Sequence, residues 1–74
     1  MENKIIKLIA EMLGKKLSEI QMKSRFIEDL KADSLDILEM MLTLEEEFNV
    51  IIKDEDVSSI KTVEDIINYI KAYN

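Results

Sequence analysis

The sequence predicts a small all-α fold: a four-helix bundle of three main helices and one short helix, with a long first loop. Apolar residues recur every three or four positions in three segments, as on one face of a helix, and no segment alternates as a half-buried strand does. The chain has 74 residues, with no Pro and one Gly to interrupt a helix. This length fits one domain, so we expect residues 1–74 to form a single unit.

The first helix is predicted over residues 3–13, and Gly14 is its expected end because glycine readily takes the left-handed conformation after a helix. The apolar residues on its buried face are Ile5, Ile6, Ile9, Met12 and Leu13. Residues 15–32 lack sustained periodicity and are predicted to form a loop. The expected anchors of this loop in the core are Phe26, Ile27 and Leu30.

The strongest helical pattern covers residues 34–49 and follows Asp33, which is a good N-cap. Asp36 lies in the first turn, where the helix dipole favours a negative charge. The apolar residues cover well over half the circumference of this helix, more than one buried stripe requires, and they form two ridges. The first ridge contains Ile37, Met41, Leu44 and Phe48, and the second contains Leu35, Leu38 and Leu42.

Two further helices follow. A short helix is predicted over residues 54–59, with Val57 directed into the core. Thr62 is the expected cap of a last helix from Val63 to about Ala72. Its apolar face contains Val63, Ile66, Ile67, Ile70 and Tyr73. Ile and Val are weak helix formers, but the 3.6-residue period of this segment outweighs that propensity.

The composition excludes several kinds of function. The chain has no Cys and no His, so it lacks disulfides and the usual zinc ligands, and we predict no metal centre. The same absence removes Cys–His pairs and Ser–His–Asp triads, so we do not expect an enzyme. With 10 basic and 16 acidic residues the formal charge is −6, which argues against nucleic-acid binding and favours partners with positive surfaces. No apolar run is long enough to span a membrane.

The second ridge of the long helix has two interpretations. It can be additional core, in which case the acidic residues nearby are simply solvated. Alternatively it is a docking surface, since apolar anchors within a charged rim suit a transient partner. The residues of that surface are the leucines Leu35, Leu38 and Leu42 and the acids Glu39, Glu45 and Glu46. Periodicity alone leaves both interpretations open.

Ser34 directly follows Asp33 at the start of the long helix. Its hydroxyl is expected near unpaired backbone N–H groups and the positive end of the helix dipole, where an attached or bound phosphate is favoured. A serine at a helix start is also common as an ordinary capping residue. The residue types alone favour that second interpretation.

A longer run of residues carries a family resemblance. Residues 26–36, with the sequence FIEDLKADSLD, resemble the modification motif of acyl carrier proteins. Further similar positions are Leu38-Glu39, residues 44–48, Ile52, Asp54-Glu55, Thr62-Val63 and Tyr69-Ile70. The similarity extends over essentially the whole chain with matched spacing, and it is closest to the carriers of fatty acid synthesis.

The resemblance implies a carrier with 4′-phosphopantetheine covalently attached to Ser34, while Asp33 helps to orient the attachment site. A phosphopantetheinyl transferase would attach this arm, and its thiol would carry acyl chains as thioesters between the enzymes of fatty acid synthesis. The second helix would recognise basic patches on those partners. The implied docking residues are Leu35, Asp36, Leu38, Glu39, Leu42, Glu45 and Glu46. We expect a monomer in the cytoplasm.

By the same resemblance, acyl chains enter the core between the second, third and fourth helices. The candidate wall residues are Ile52, Val57, Ile60 and Ile66. Two positions depart from the common family pattern. Lys31 stands where Gly is frequent, and a positive φ there would be uncommon for a lysine. Lys53 stands where Pro often precedes the short helix.

Other functions stay open. Carriers of polyketide, aminoacyl or D-alanyl cargo share the serine attachment, and an acidic helical interaction module with Ser34 unmodified predicts the same bundle. One run also has the spacing of a calcium-binding EF-hand loop, but Ser59 occupies the position that requires Gly. The residues of this run are Asp54, Asp56, Ser58, Thr62 and Asp65. A capped short helix is the better interpretation of that segment.

Overall fold

A computed structural model describes residues 2–73, which form four α-helices and one turn of 3₁₀-helix. The helices are α1 (Glu2–Leu13), α2 (Ser34–Phe48), α3 (Asp54–Val57) and α4 (Val63–Tyr73). The 3₁₀ turn, Leu17–Glu19, lies in the loop between α1 and α2. Within residues 2–73, strand-like pairing is limited to one isolated bridge between Arg25 and Thr62. The predicted all-α bundle of three main helices, one short helix and a long first loop is confirmed.

Aliphatic side chains from α1, α2 and α4 form most of the core. The largest fully buried side chains are Phe26, Ile5, Ile9, Met40, Leu44, Ile66, Ile67, Ile70 and Val63. Burying one such side chain contributes about 1.5–3 kcal/mol. The low helix propensity of Ile or Val costs less than about 1 kcal/mol per residue. Packing therefore decides that α4 is a helix, as the period of its apolar residues predicted.

Backbone hydrogen bonds attach the first loop to the start of α4. The N–H groups of Val63 and Glu64 donate to the carbonyls of Ser24 (3.1 Å) and Met22 (2.9 Å). Donors in the first turn of a helix have no partner within that helix. The loop satisfies two of them, and the buried Ser24 hydroxyl accepts a hydrogen bond from the N–H of Gln21 at 3.0 Å. The long loop is thus ordered by the helix that it caps.

Three residues of the described chain take positive φ, and each changes the chain direction beside a helix. Gly14 (65°) follows α1 and Asn49 (54°) follows α2, and both residue types tolerate this conformation. Lys31 (60°) precedes α2, and the left-handed conformation costs roughly 1–2 kcal/mol for a residue with a Cβ. The backbone at Lys31 therefore takes a conformation that glycine adopts without this cost.

Two predicted burials are wrong. Ile27 was expected to anchor the first loop, but it is 60% exposed, because its neighbour Phe26 takes the buried position in this turn. Tyr73 was placed on the apolar face of α4, but it is 49% exposed. It lies past the ion pair between Lys71 and Glu2 (3.6 Å), where α4 reaches the start of α1.

Three smaller details also differ from the sequence prediction. The first loop contains the 3₁₀ turn Leu17–Glu19. Met40 is fully buried although it belongs to neither predicted ridge. The short helix ends at Val57 rather than at Ser59, because the N–H and hydroxyl of Ser59 both donate to the carbonyl of Asp56 (3.1 and 2.8 Å) and close a tight turn.

Replacing Lys31 with glycine is expected to stabilise the protein by about 1 kcal/mol, because glycine adopts the positive φ of this position without the steric penalty. Urea unfolding followed by circular dichroism measures the change. Lys23→Gly is the matched control, since Lys23 lies exposed in the same loop without positive φ. The control is expected to lose stability, because glycine makes the unfolded chain more flexible. Equal losses in both variants would contradict strain at Lys31.

Asp65 closes the start of α4. Its carboxylate accepts hydrogen bonds from the N–H groups of Lys61 (3.0 Å) and Thr62 (3.1 Å), and its own N–H donates to the Thr62 hydroxyl (3.1 Å). These bonds, the one from Lys61 foremost, hold the pKa of Asp65 below its ordinary value of 3.8. A lowered folded-state pKa gives stability that is present above the unfolded-state value and is lost as pH falls through the folded-state value.

Asp65→Asn is therefore expected to be less stable than the parent protein near neutral pH, by about 1 kcal/mol, because hydrogen bonds to a charged acceptor contribute more than those to a neutral one. The difference should shrink as the pH falls below 3.8 and the parent carboxylate takes up its proton. Thermal unfolding across this pH range measures it. Glu64→Gln removes a neighbouring charge outside these hydrogen bonds and should give a smaller difference. A stability difference between Asp65→Asn and the parent protein that stays the same at every pH would refute this role of the Asp65 carboxylate.

Candidate functional site

Reciprocal hydrogen bonds between two aspartates close the start of α2. The N–H of Asp36 donates to Oδ1 of Asp33 (2.9 Å), and the N–H of Asp33 donates to Oδ2 of Asp36 (3.1 Å). Asp33 is the N-cap, as predicted, and Ser34 is the first residue of the helix. Ser34 is exposed, and within residues 2–73 nothing hydrogen-bonds to its hydroxyl. The interpretation of Ser34 as the capping residue is therefore wrong, because the side chain of Asp33 caps the helix.

The second ridge of α2 faces solvent. Leu35, Leu38 and Leu42 are 61%, 55% and 51% exposed, so the interpretation of this ridge as additional core is wrong. Glu39 and Glu46 on the same helix are exposed as well. We call the surface formed by these five residues the acidic leucine face. It combines apolar side chains with negative charge.

A groove of about 550 Å³ lies between α2, α3 and the loops that precede α2 and α4. We call it the α2–α3 groove. Its apolar lining residues are Phe26, Ile27, Ile37, Leu38, Met41, Leu42, Ile52, Val57 and Ile60. Its polar and charged lining residues are Glu28, Ser34, Glu45, Asp54, Ser58 and Lys61. Because Ser34 begins α2 and also lines the groove, the free hydroxyl lies beside an apolar channel.

The groove contains three of the four predicted wall residues. Ile52, Val57 and Ile60 line it, whereas Ile66 does not. Ile66 is fully buried in the core because it belongs to the packed face of α4, and no residue of α4 lines the groove. The expected contribution of α4 to the acyl-binding site stays a prediction.

The sequence pattern did not identify the α2 side of the groove. Ile37 and Met41 belong to the first ridge of α2, while Leu38 and Leu42 belong to the second. The groove therefore follows the boundary between the two ridges. The sequence signal for this groove is the apolar surface of α2, which is wider than one buried stripe requires. A helix with two apolar ridges has a boundary between them, and the groove lies along that boundary.

Polar contacts hold α3 and its flanking residues against the neighbouring helices. Oε2 of Glu45 accepts a hydrogen bond from the N–H of Ile52 at 2.7 Å. The hydroxyl of Tyr69 donates to Oδ2 of Asp56 at 2.8 Å and accepts from the N–H of Lys53 at 3.4 Å. The bond to Asp56 raises the pKa of Tyr69. Glu45, which is expected on the docking surface, is half-buried and lines the groove beside Leu38 and Leu42.

The segment with EF-hand-like spacing does not form a calcium loop. Asp54 and Asp56 belong to α3, and Asp65 lies in the first turn of α4, where the Thr62 hydroxyl accepts its N–H. Among residues 2–73, no three acidic side chains are grouped so that they could hold a metal ion. None of the described helices combines the length and apolar character that crossing a bilayer requires.

Known proteins resemble this chain over nearly its full length. The family model of the phosphopantetheine attachment site matches residues 3–70. The acyl carrier protein of Rickettsia bellii (strain RML369-C) is 50% identical over 72 residues, which cover 97% of this chain and 84% of that relative. The acyl carrier protein of Rickettsia canadensis (strain McKiel) is 53% identical over 70 residues, which cover 95% of this chain and 81% of that relative.

The chain belongs to the acyl carrier protein family. The fold agrees with this assignment. A solved structure from Mycobacterium tuberculosis, described as an acyl carrier protein, has a TM-score of 0.91 and 29% sequence identity to this chain. The match covers 99% of this chain and 97% of that structure. The predicted family is thereby confirmed.

Acyl carrier proteins bear a covalently attached 4′-phosphopantetheine, carry acyl chains and interact with the enzymes of fatty acid synthesis. This protein is accordingly a carrier and not a catalytic enzyme. The start of α2 fits such a group. It offers an exposed, unbonded hydroxyl at Ser34, and the positive end of the helix dipole favours the negative charge of a phosphodiester.

Proposed function

We propose that this chain carries acyl groups as thioesters on a 4′-phosphopantetheine arm attached to the Oγ of Ser34, and that it delivers them to fatty acid synthesis enzymes in the cytoplasm. The observation that carries the proposal is the free, exposed hydroxyl of Ser34 at the first position of α2. Membership of the acyl carrier protein family supports it.

The reciprocal hydrogen bonds of Asp33 and Asp36 have a defined part in this function. Asp33 and Asp36 bond each other's backbone N–H groups, so the helix start is closed without the side chain of Ser34. A phosphopantetheinyl transferase would form the bond between Ser34 Oγ and phosphorus as the diphosphate bond of coenzyme A breaks, so that adenosine 3′,5′-bisphosphate leaves and the serine proton is released. When bound, the arm supplies the thiol for the thioester. The chain has no Cys, so no thiol of its own competes for the acyl group.

The α2–α3 groove is suited to shelter the acyl chain. Its interior is lined by aliphatic side chains, among them Ile52, Val57 and Ile60, and it begins beside Ser34. Moving a methylene group from water into such a groove is favourable by about 0.8 kcal/mol. The chain can thereby be kept from water between successive enzymes.

The acidic leucine face is suited to brief binding of basic partner surfaces. Its three leucines provide apolar anchors, and Glu39 and Glu46 provide negative charge within a protein of net charge −6. Electrostatic attraction accelerates encounter more than it prolongs the complex. A carrier that acts as a monomer and visits several enzymes needs this combination.

Intact-mass measurement tests the attachment. After co-expression with a phosphopantetheinyl transferase, the protein is expected to gain the mass of one arm and one titratable thiol. Ser34→Ala should gain neither, because the acceptor oxygen is gone. Ser18→Ala is the matched control, since Ser18 is also exposed, and it should be loaded as fully as the parent protein. A parent protein that stays free of thiol would instead support an unmodified interaction module.

Reversing the charge of the acidic leucine face tests docking. The double variant Glu39→Lys, Glu46→Lys is expected to slow acyl transfer to a fatty acid synthesis enzyme about tenfold at low salt. The difference should fall at about 1 M salt, where exposed charges are screened. Glu11→Lys, Glu64→Lys changes the net charge equally at exposed positions outside this face and should have little effect. Circular dichroism checks folding, and equal rates for both double variants would rule out docking through this face.

A further inference from the structure

We propose that Glu45 limits the length of the acyl chain that the α2–α3 groove accepts. The inference rests on the proposed function, because it assumes that an acyl chain enters this groove. It assigns to Glu45 a role in selecting the cargo rather than in docking. The position, the burial and the hydrogen bond of Glu45 support it.

Glu45 marks the far end of the groove along α2. The α2 residues that line the groove begin with Ser34, and Glu45 is the last of them. Glu45 lies eleven positions after Ser34 in the same helix. At 1.5 Å per residue, the α2 wall is about 16 Å long. An acyl chain that enters beside Ser34 and follows this wall therefore reaches Glu45 last.

The carboxylate of Glu45 differs from the other charges of the groove. Glu28, Asp54 and Lys61 also line it, but all three are exposed and their charged groups stay in water. Glu45 is half-buried, and its Oε2 is fixed at 2.7 Å from the backbone nitrogen of Ile52. The wall thus changes from aliphatic at Met41 and Leu42 to charged at Glu45.

An alkyl chain that continued past Glu45 would cover this carboxylate. The charge would lose its remaining contact with water, or its hydrogen bond to Ile52 would break. Removing water from a charge costs more than the contact of one methylene group gains. A chain is therefore stabilised by the groove only up to Glu45, and further carbons stay outside.

A series of acyl chains of increasing length on the arm-bearing protein tests this limit. The thermal midpoint, relative to the protein with a free thiol, should rise with each sheltered methylene group and then reach a plateau. In Glu45→Gln the thermal midpoint should reach its plateau at a longer acyl chain than in the parent protein. The amide keeps an acceptor for the Ile52 N–H without the charge. Glu45→Met removes charge and acceptor together and should move the plateau in the same direction.

Glu47→Gln is the matched control. It removes the same charge two positions away on the same helix, from an exposed residue that does not line the groove. Its plateau should equal that of the parent protein. A single plateau shared by the parent, Glu45→Gln and Glu45→Met would overturn the role of Glu45 while leaving the carrier function intact. Failure of Ser34 to accept the arm would instead overturn the proposed function itself.

Discussion

The paired hydrogen bonds between Asp33 and Asp36 are the constraint on which the site depends. A helix start needs acceptors for its free N–H groups, and a serine in the first turn could provide one. The two aspartates meet this need by themselves. Ser34 is consequently held in the first turn of the helix with its side chain exposed, three residues after Lys31 and its positive φ.

Helix α2 also has more apolar surface than so small a bundle covers. One ridge, exemplified by Leu44, packs in the core, and another, exemplified by Leu38, stays exposed. The groove runs along the seam between the ridges, from Ser34 to Glu45. A single helix thus provides the attachment residue, the exposed face and one wall of the groove. This combination on one helix suits a domain that must hold a cargo and still present it to other proteins.

Local patterns predicted most of this arrangement. The spacing of the apolar residues predicted the helices, and Asp33 as an N-cap predicted the start of α2. They failed where the outcome depends on contacts between distant segments. The attachment of the first loop to α4 through Ser24 is made by backbone groups, which carry no signal in residue type. Ile27 and Ile66 are equally apolar, yet packing exposes the first and buries the second.

The most direct test of the account is a phosphorus–proton correlation spectrum of the arm-bearing protein by NMR. The account predicts one phosphorus signal, coupled to the β-protons of Ser34, while the amide of Asp36 stays protected from hydrogen exchange by its bond to Asp33. Coupling to a different serine or threonine would contradict it. So would the absence of any phosphorus signal after treatment with a competent transferase and coenzyme A.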